Sequence, residues 1–477
     1  MKKVQLSIVT LTVLFIMSCQ KHGSYFSGSG DQYTDYGESN FIKTADEPIS
    51  TFSIDADGAS YAVMRSFIEG SSTAPPIAAI RSEEFINYFN LDYPSSNDPI
   101  TVHTELSSCP WNDDHSLLRI GMKGKPVANS ERLPANFVLL IDCSGSMSGD
   151  GKLPLLKEGM ISFVEQIRSD DRVGIVTYAG GSEVLLEPTL GSERETIVKA
   201  IKKLKARGST NGGAGINEAY DLAEKYFVEG GNNRIILGSD GDFNVGMSSD
   251  SELLELIKEK RESGIFLTVL GVGHGNLNDS MMEQLANNGN GNYEYLDKTA
   301  ELKRIFMWEF SKFYSVAKDV KTQVIFNSEV VESYRLIGYE NRGMETADFE
   351  DDSEDAGELG AGQNVTALYE IDWQNEVKHS TSELLGNLSV RYKNPGSETS
   401  SLMNFSIDQG EVDFDSSSDF QRFTASVAGF AMLLRKSEFK GTLTYEKILN
   451  WSLNADIADP YGLKNEYQVL IIKAMTF

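Results

Sequence analysis

Asp142, Ser144 and Ser146, in the run Asp142-Cys143-Ser144-Gly145-Ser146, offer a carboxylate and two hydroxyls within one short stretch. Thr210, in Gly208-Ser209-Thr210-Asn211-Gly212, offers a further hydroxyl, and Asp240, in Ser239-Asp240-Gly241-Asp242, a second carboxylate. These are hard oxygen donors, the type a magnesium-sized cation takes six of at near-octahedral geometry, keeping positions for water or an incoming ligand. With only two carboxylates the charge of a divalent ion is not over-neutralised. A cation held here would still attract a carboxylate from another molecule. Mg2+ is the expected occupant, with Mn2+ or Ca2+ as alternatives.

Each donor stretch follows a segment able to carry it to one edge of a sheet. Asn136–Ile141 is a continuous apolar run, as expected of a strand buried on both faces. Asp142 then stands at its carboxyl end, where open α/β sheets place their ligands. Leu153, Leu156, Met160, Val164 and Ile167 recur at steps of three and four, which predicts a helix with one buried stripe. The unit repeats: strands are predicted at Val173–Tyr178, Arg234–Gly238, Ile265–Gly271 and Asn292–Leu296, with an edge or hairpin partner at Ser182–Glu187. Helices are marked by Ile197, Ile201 and Leu204, by Ile216, Ala219, Ala223 and Phe227, and by Leu253, Leu254 and Ile257. Leu302, Ile305, Phe306 and Phe313 mark a closing helix. This alternation predicts an α/β fold with a doubly wound, mostly parallel sheet. Helix capping alone would account for Asp142 and Ser146, but not for oxygen donors at three strand ends.

The three-loop pattern resembles the metal-ion-dependent adhesion site of the von Willebrand factor type A domain, from about Ala135 to Val316. The surrounding sequence is similar to a bacterial lipoprotein family in which that domain has two characteristic flanks. The first flank carries Ser50-Thr51-Phe52-Ser53-Ile54-Asp55, Ala59-Ser60-Tyr61, Glu84-Phe85-Ile86-Asn87-Tyr88-Phe89 and Cys109-Pro110-Trp111-Asn112. The second carries Ser333-Tyr334-Arg335-Leu336-Ile337-Gly338-Tyr339-Glu340-Asn341-Arg342 and Asp355-Ala356-Gly357-Glu358. The resemblance implies a Rossmann-like fold and a metal site made by Asp142, Ser144, Ser146, Thr210 and Asp240. Ser239 stands where a threonine is common, and Cys143 fills a variable place whose side chain should point away from the ion. What it implies for function is metal-dependent protein binding.

At 477 residues, 40% hydrophobic and 24% charged, the chain can bury a sizeable core in two or three domains. A net charge of -27 opposes binding to nucleic acid, which would repel it. Lys2 and Lys3 precede an apolar stretch, Val4–Met17, of secretory-signal length. Its end, Ile16-Met17-Ser18-Cys19, resembles a bacterial lipoprotein signal, so cleavage before Cys19 and its lipidation are expected. Acyl chains there would hold the protein at a membrane of the bacterial cell envelope, the outer membrane being favoured, with the body facing periplasm or exterior. Residues 1–18 are accordingly read as a signal peptide, 19–42 as a flexible tether rich in Gly, Ser, Tyr and Asp, and 43–130 as the first flank, a helix followed by strands. The type A domain is assigned to 131–316, a β-rich domain to 317–410 and a helical region to 411–477. Cys109 and Cys143 are expected as free, partly buried thiols rather than a disulfide.

Alternating segments at Ile100–Leu106, Leu117–Gly121, Lys321–Asn327, Ser333–Tyr339, Val365–Trp373, Gly386–Tyr392 and Ser401–Ile407 predict strands on both sides of the type A domain. Such an arrangement would insert that domain into a β-sandwich built from both flanks. Phe423, Val427, Phe430 and Leu433, with Tyr445, Ile448 and Leu449, and Tyr467, Leu470 and Ile471, predict C-terminal helices packed on the body. The acidic run within Glu345–Glu358 is read as a solvated loop. Asp55-Ala56-Asp57-Gly58 mimics part of a calcium loop but has no glutamate at the required place, and is rejected as a metal site.

Signatures of catalysis are missing. His22, His103, His115, His274 and His379 have no His-Glu-x-x-His spacing, there is no Gly-x-Ser-x-Gly elbow, and Gly208–Gly215 lacks the lysine of a phosphate loop. Gly271-Val272-Gly273-His274-Gly275 lacks the third glycine of a dinucleotide fingerprint. The expected class is therefore a binder and not an enzyme: a lipid-anchored adhesion module whose cation bridges to an Asp or Glu of a partner protein. The alternatives are a regulatory or assembly subunit of an envelope ATPase or secretion machine and, more remotely, a metal-dependent hydrolase, for which a two-metal site would need more carboxylates.

Overall fold

The computed structural model describes residues 24–28, 30–208, 212–241, 250–374 and 384–477. The expected signal peptide and Cys19 lie outside them. The chain enters through a hairpin of β1 (Ser24–Gly28) and β2 (Asp31–Asp35). It continues through β3 (Ile42–Lys43), β4 (Ile49–Ser53), the helices α1 (Ala59–Ser66) and α2 (Ser82–Asn87), and the antiparallel pair β5 (Ile100–Ser108) and β6 (His115–Gly124). From β2 onward this segment is not the tether its composition suggests. Asp31 is fully buried and accepts the N–H groups of Gly275 (2.7 Å) and Leu277 (2.9 Å), while Tyr33 is buried in the core. Two anchoring side chains dock a segment that has no apolar period.

Six strands follow: β7 (Ala135–Asp142), β8 (Arg172–Tyr178), β9 (Ser182–Leu190), β10 (Asn232–Ser239), β11 (Phe266–Val272) and β12 (Tyr293–Leu296). They form one sheet ordered β12-β11-β10-β7-β8-β9, parallel throughout except for β9, which is antiparallel to β8 at the edge. Helices α3 (Leu153–Gln166), α4 (Arg194–Lys203), α5 (Gly212–Lys225), α6 (Asp250–Arg261) and α7 (Asp279–Asn288) join them. The apolar run in β7 is explained by two cores, since Phe137, Leu139 and Ile141 face one and Val138 and Leu140 the other. The second core also takes Ala59, Ala62 and Val63 of α1, so the first flank completes a face of this sheet. The expected closing helix is broken into α8 (Thr299–Lys303), a wide π turn over Arg304–Trp308 and a 3-10 turn over Phe310–Phe313. There Arg304 and Lys312 both reach the buried Glu294 of β12, and Arg304 also pairs with Glu301 (2.6 Å) and Glu309 (2.6 Å). Apolar periodicity does not register those ion pairs.

Beyond the type A domain come β13 (Ser315–Phe326), β14 (Val331–Ile337), β15 (Gly357–Gly360), β16 (Asn364–Trp373), β17 (Leu384–Lys393) and β18 (Ser400–Asp408). They join the first flank in two sheets: β3-β14-β16-β6-β5, and β15-β13-β17-β18 with β4 on β13. Phe52, Ile120, Val324, Leu388 and Ile371 share the core between them. The type A domain is thus inserted in a sandwich that needs both flanks. Helices α9 (Asp419–Arg435), α10 (Tyr445–Asn454) and α11 (Leu463–Ala474) close the chain, packing Phe423, Phe430, Ile448 and Tyr467 against Tyr61, Phe85 and Phe89 of the first flank.

Where first flank, α7 and second flank meet lies a buried ionic cluster. Arg342 faces Asp55 (3.0 Å), Asp57 (3.5 Å) and Glu283 (3.4 Å), while Arg81 faces Glu84, Asp279 (2.6 Å) and Glu283 (3.4 Å). Asp55, Glu84 and Glu283 bring ligand atoms within 4.8 Å of one another. Each carboxylate there already faces an arginine. The Asp55–Gly58 stretch enters this cluster through Asp55 and Asp57, both on Arg342. The acidic run 345–358 is likewise pinned in part, with Asp355 on Arg261 (2.5 Å) and Glu358 buried in β15.

Burial here shifts protons. Glu83 is pushed up to about 8 by burial, with repulsion from Glu340 and Asp55 added. Asp355 rises to about 7 by burial, offset in part by Arg261 and reinforced by Asp319. The folded chain keeps protons on both that the unfolded chain releases above the ordinary carboxyl value, so stability falls as pH climbs through this range. Burial opposes ionisation of Glu301 too, but Arg304 and Arg65 outweigh it and bring it down to about 2. Its contribution is present above the ordinary carboxyl value and lost in strong acid. The thermal midpoint is expected to peak near about pH 5 and decline toward pH 8; a midpoint still climbing above neutrality would contradict these assignments.

Candidate metal site

β7 and β10 lie side by side in register, Ile141 opposite Gly238, so their carboxyl ends deliver Asp142 and Asp240 to the same edge of the sheet. Both aspartates are fully buried. Asp142 accepts the Ser144 N–H on Oδ1 (2.8 Å) and the Ser239 hydroxyl on Oδ2 (3.0 Å), which fixes its orientation. Ser144 and Ser146 set their hydroxyl oxygens 2.9 Å apart. Asp240 accepts Lys152 Nζ on Oδ2 at 2.9 Å, and the same ammonium reaches Asn276 Oδ1 at 2.6 Å.

Backbone bonds hold the loops together. Cys143 N–H donates to Tyr178 O (2.8 Å), Arg207 N–H to Cys143 O (2.6 Å) and Gly145 N–H to Gly208 O (3.0 Å). Thr210 itself lies outside the described residues, but Gly208, two positions before it, is bonded to the Asp142 loop. At Gly241 the backbone turns with φ +90 and a Cβ would stand 2.5 Å from Asn278 N, so the turn after Asp240 requires glycine.

Burial is the main reason Asp142 is pushed up to about 6; the Ser144 N–H opposes the shift and Asp240 adds repulsion. Two buried carboxylates beside paired hydroxyls are a donor set suited to a hard divalent ion. Cys143 turns into the core, where burial pushes its thiol up to about 12, and both Cys109 and Cys143 are free and buried. Of the five anticipated ligands, Asp142, Ser144, Ser146 and Asp240 stand at this edge. Lys152 and Asn276 were not anticipated. Nothing local marks them, because each reaches the site from a loop remote from the residue it contacts.

Three stretches match family descriptions: residues 27–119 "von Willebrand factor", residues 136–308 "von Willebrand factor type A domain" and residues 311–477 "Uncharacterized protein YfbK, C-terminal". The uncharacterized protein YfbK of Escherichia coli is 38% identical over 466 residues, covering 92% of this chain and 80% of that one. The chain belongs to the YfbK family of von Willebrand factor type A domain proteins. Inter-alpha-trypsin inhibitor heavy chain H3 of Homo sapiens is 28% identical over 181 residues, 36% of this chain and 20% of that one. Among solved structures, a von Willebrand factor type A protein from Catenulispora acidiphila covers 79% of this chain and 91% of its own at 15% identity, with a TM-score of 0.45. The ArnB paralog VWA2 from Sulfolobus acidocaldarius covers 80% of this chain and 98% of its own at 14% identity, with a TM-score of 0.39. In this YfbK-family chain the two outer matched stretches are those that build the sandwich and the C-terminal helices, and the middle one carries the aspartate edge.

Proposed function

We propose that this chain is an envelope protein, anchored by lipid at Cys19, that binds a partner protein through a divalent cation held by Asp142, Ser144, Ser146, Thr210 and Asp240. The observation that carries the reading is the pair of buried aspartates at adjacent strand ends with the Ser144 and Ser146 hydroxyls beside Asp142. The two carboxylates supply negative charge, and the hydroxyls supply neutral oxygens that leave the ion electron-poor. Mg2+, or Mn2+ or Ca2+ in its place, would supply a Lewis-acidic bridge to an Asp or Glu of the partner. Ser146 is exposed, so the open side of the set faces outward, where a partner's side chain can approach.

The reading is tested by pull-down from envelope extracts with and without chelator. A protein retained in Mg2+ and released by chelator supports it; identical captures in both conditions overturn it. Calorimetry should rank the ligands. Ser144→Ala removes one neutral oxygen and is expected to weaken Mg2+ by about tenfold, less than loss of either carboxylate, given that even residues behind the ligands cost about 10–100-fold.

A further inference from the structure

Lys152 lies just before α3 and is not one of the oxygen donors, yet its ammonium pairs with one of them, Asp240. Its side chain is only 13% exposed. The aliphatic stem lies against the backbone of Gly273, where a Cβ would fall 2.3 Å from Lys152 Cε and 2.7 Å from Cγ. Gly273 also has φ +74, so the backbone demands glycine at this point in Gly271-Val272-Gly273-His274-Gly275, and its missing side chain leaves room for the lysine stem. At the far end the ammonium is gripped between Asp240 Oδ2 (2.9 Å) and Asn276 Oδ1 (2.6 Å). A long, flexible side chain is thus seated in a fitted groove with its charge on a carboxylate of the proposed metal set.

We propose that Lys152 is a tethered counter-charge that competes with the divalent cation for Asp240, lowering the affinity of the site and swinging out to the rim when the ion binds. This rests on the metal-site reading above. An ammonium bonded to Asp240 and a divalent ion drawing on the same carboxylate repel each other at a buried edge where water screens weakly. Asn276 offers Lys152 an anchor beside Asp240, so release costs the lysine two polar contacts and the ion must supply the difference. Once displaced, the ammonium adds positive charge to the face on which an acidic partner would dock. The lysine therefore sets the cation concentration at which the face becomes receptive.

Calorimetry with MgCl2 on the full mature chain compares wild type, Lys152→Met and Lys152→Arg. Lys152→Met keeps the stem and is expected to bind Mg2+ at least about tenfold more tightly, while Lys152→Arg stays near wild type. Equal or weaker binding by Lys152→Met overturns the proposal, because the lysine would then be neutral or would hold Asp240 in place for the ion. Absence of Mg2+ binding in both wild type and Lys152→Met overturns the metal-site reading and this proposal with it. A second measurement needs no variant: acylation of wild type by N-hydroxysuccinimide acetate, read by peptide mass spectrometry. Saturating Mg2+ is expected to raise the modification rate of Lys152 several-fold over chelator, relative to exposed lysines such as Lys199, and an unchanged rate overturns the swing.

Discussion

Asp142→Ala is expected to abolish Mg2+ binding, weakening it by more than about a hundredfold, while the chain stays folded. Residues that merely support metal ligands cost about 10–100-fold when removed, and a carboxylate in direct reach of the ion must exceed that. Asp142 also accepts the Ser144 N–H and the Ser239 hydroxyl, so the variant loosens the loop that carries two further donors. Stability should suffer less than binding, because burial disfavours the charge that the substitution removes. Calorimetry and a thermal melt on the same sample separate the two effects. Mg2+ binding that matches wild type in a folded Asp142→Ala chain would end the metal-site reading.

The second large effect concerns the buried ionic cluster. Arg342→Met leaves Asp55 and Asp57 without their cation and Glu283 with only Arg81. Breaking a buried ion pair by removing one partner costs about 3–5 kcal/mol, and here one guanidinium serves three carboxylates that are all at most 2% exposed. Urea unfolding at neutral pH should show a loss of that size. Burial already raises both Asp55 and Asp57 against the pull of Arg342, so without it their folded-state protons bind more tightly still. The variant's deficit should therefore be smaller in mild acid and grow as pH rises. A loss under about 1 kcal/mol at neutral pH, or one that shrinks with rising pH, would mean that the cluster does not hold the flanks together.

These two sites differ in how visible they are along the chain. The Asp142 loop and the Asp240 turn follow strands whose apolar runs are continuous, and such runs report burial on both faces without knowledge of any neighbour. Parallel order then brings carboxyl ends to one edge, so Asp142 and Asp240 could be placed together from local pattern and topology rules alone. The sandwich was legible for a related reason: alternating segments on both sides of the type A domain have buried faces that need partners, and β6 found β16 across the insertion. Thr210 joined the set on its own hydroxyl, in the glycine-rich stretch Gly208–Gly212.

What sequence by itself determined was therefore the layered architecture and the meeting of Asp142 and Asp240 at one sheet edge, since both follow from short-range periodicity and from the parallel order of the strands they end. Tertiary structure alone decided that Asp31 and Tyr33 dock a segment with no periodic signal, that Arg304 and Lys312 pair with Glu294 where the closing helix is broken, and that Lys152 reaches Asp240 over Gly273. Each depends on one polar group meeting another from a distant stretch. Burial of a charge is settled by its partner in space, and no periodicity in the chain encodes where that partner will be.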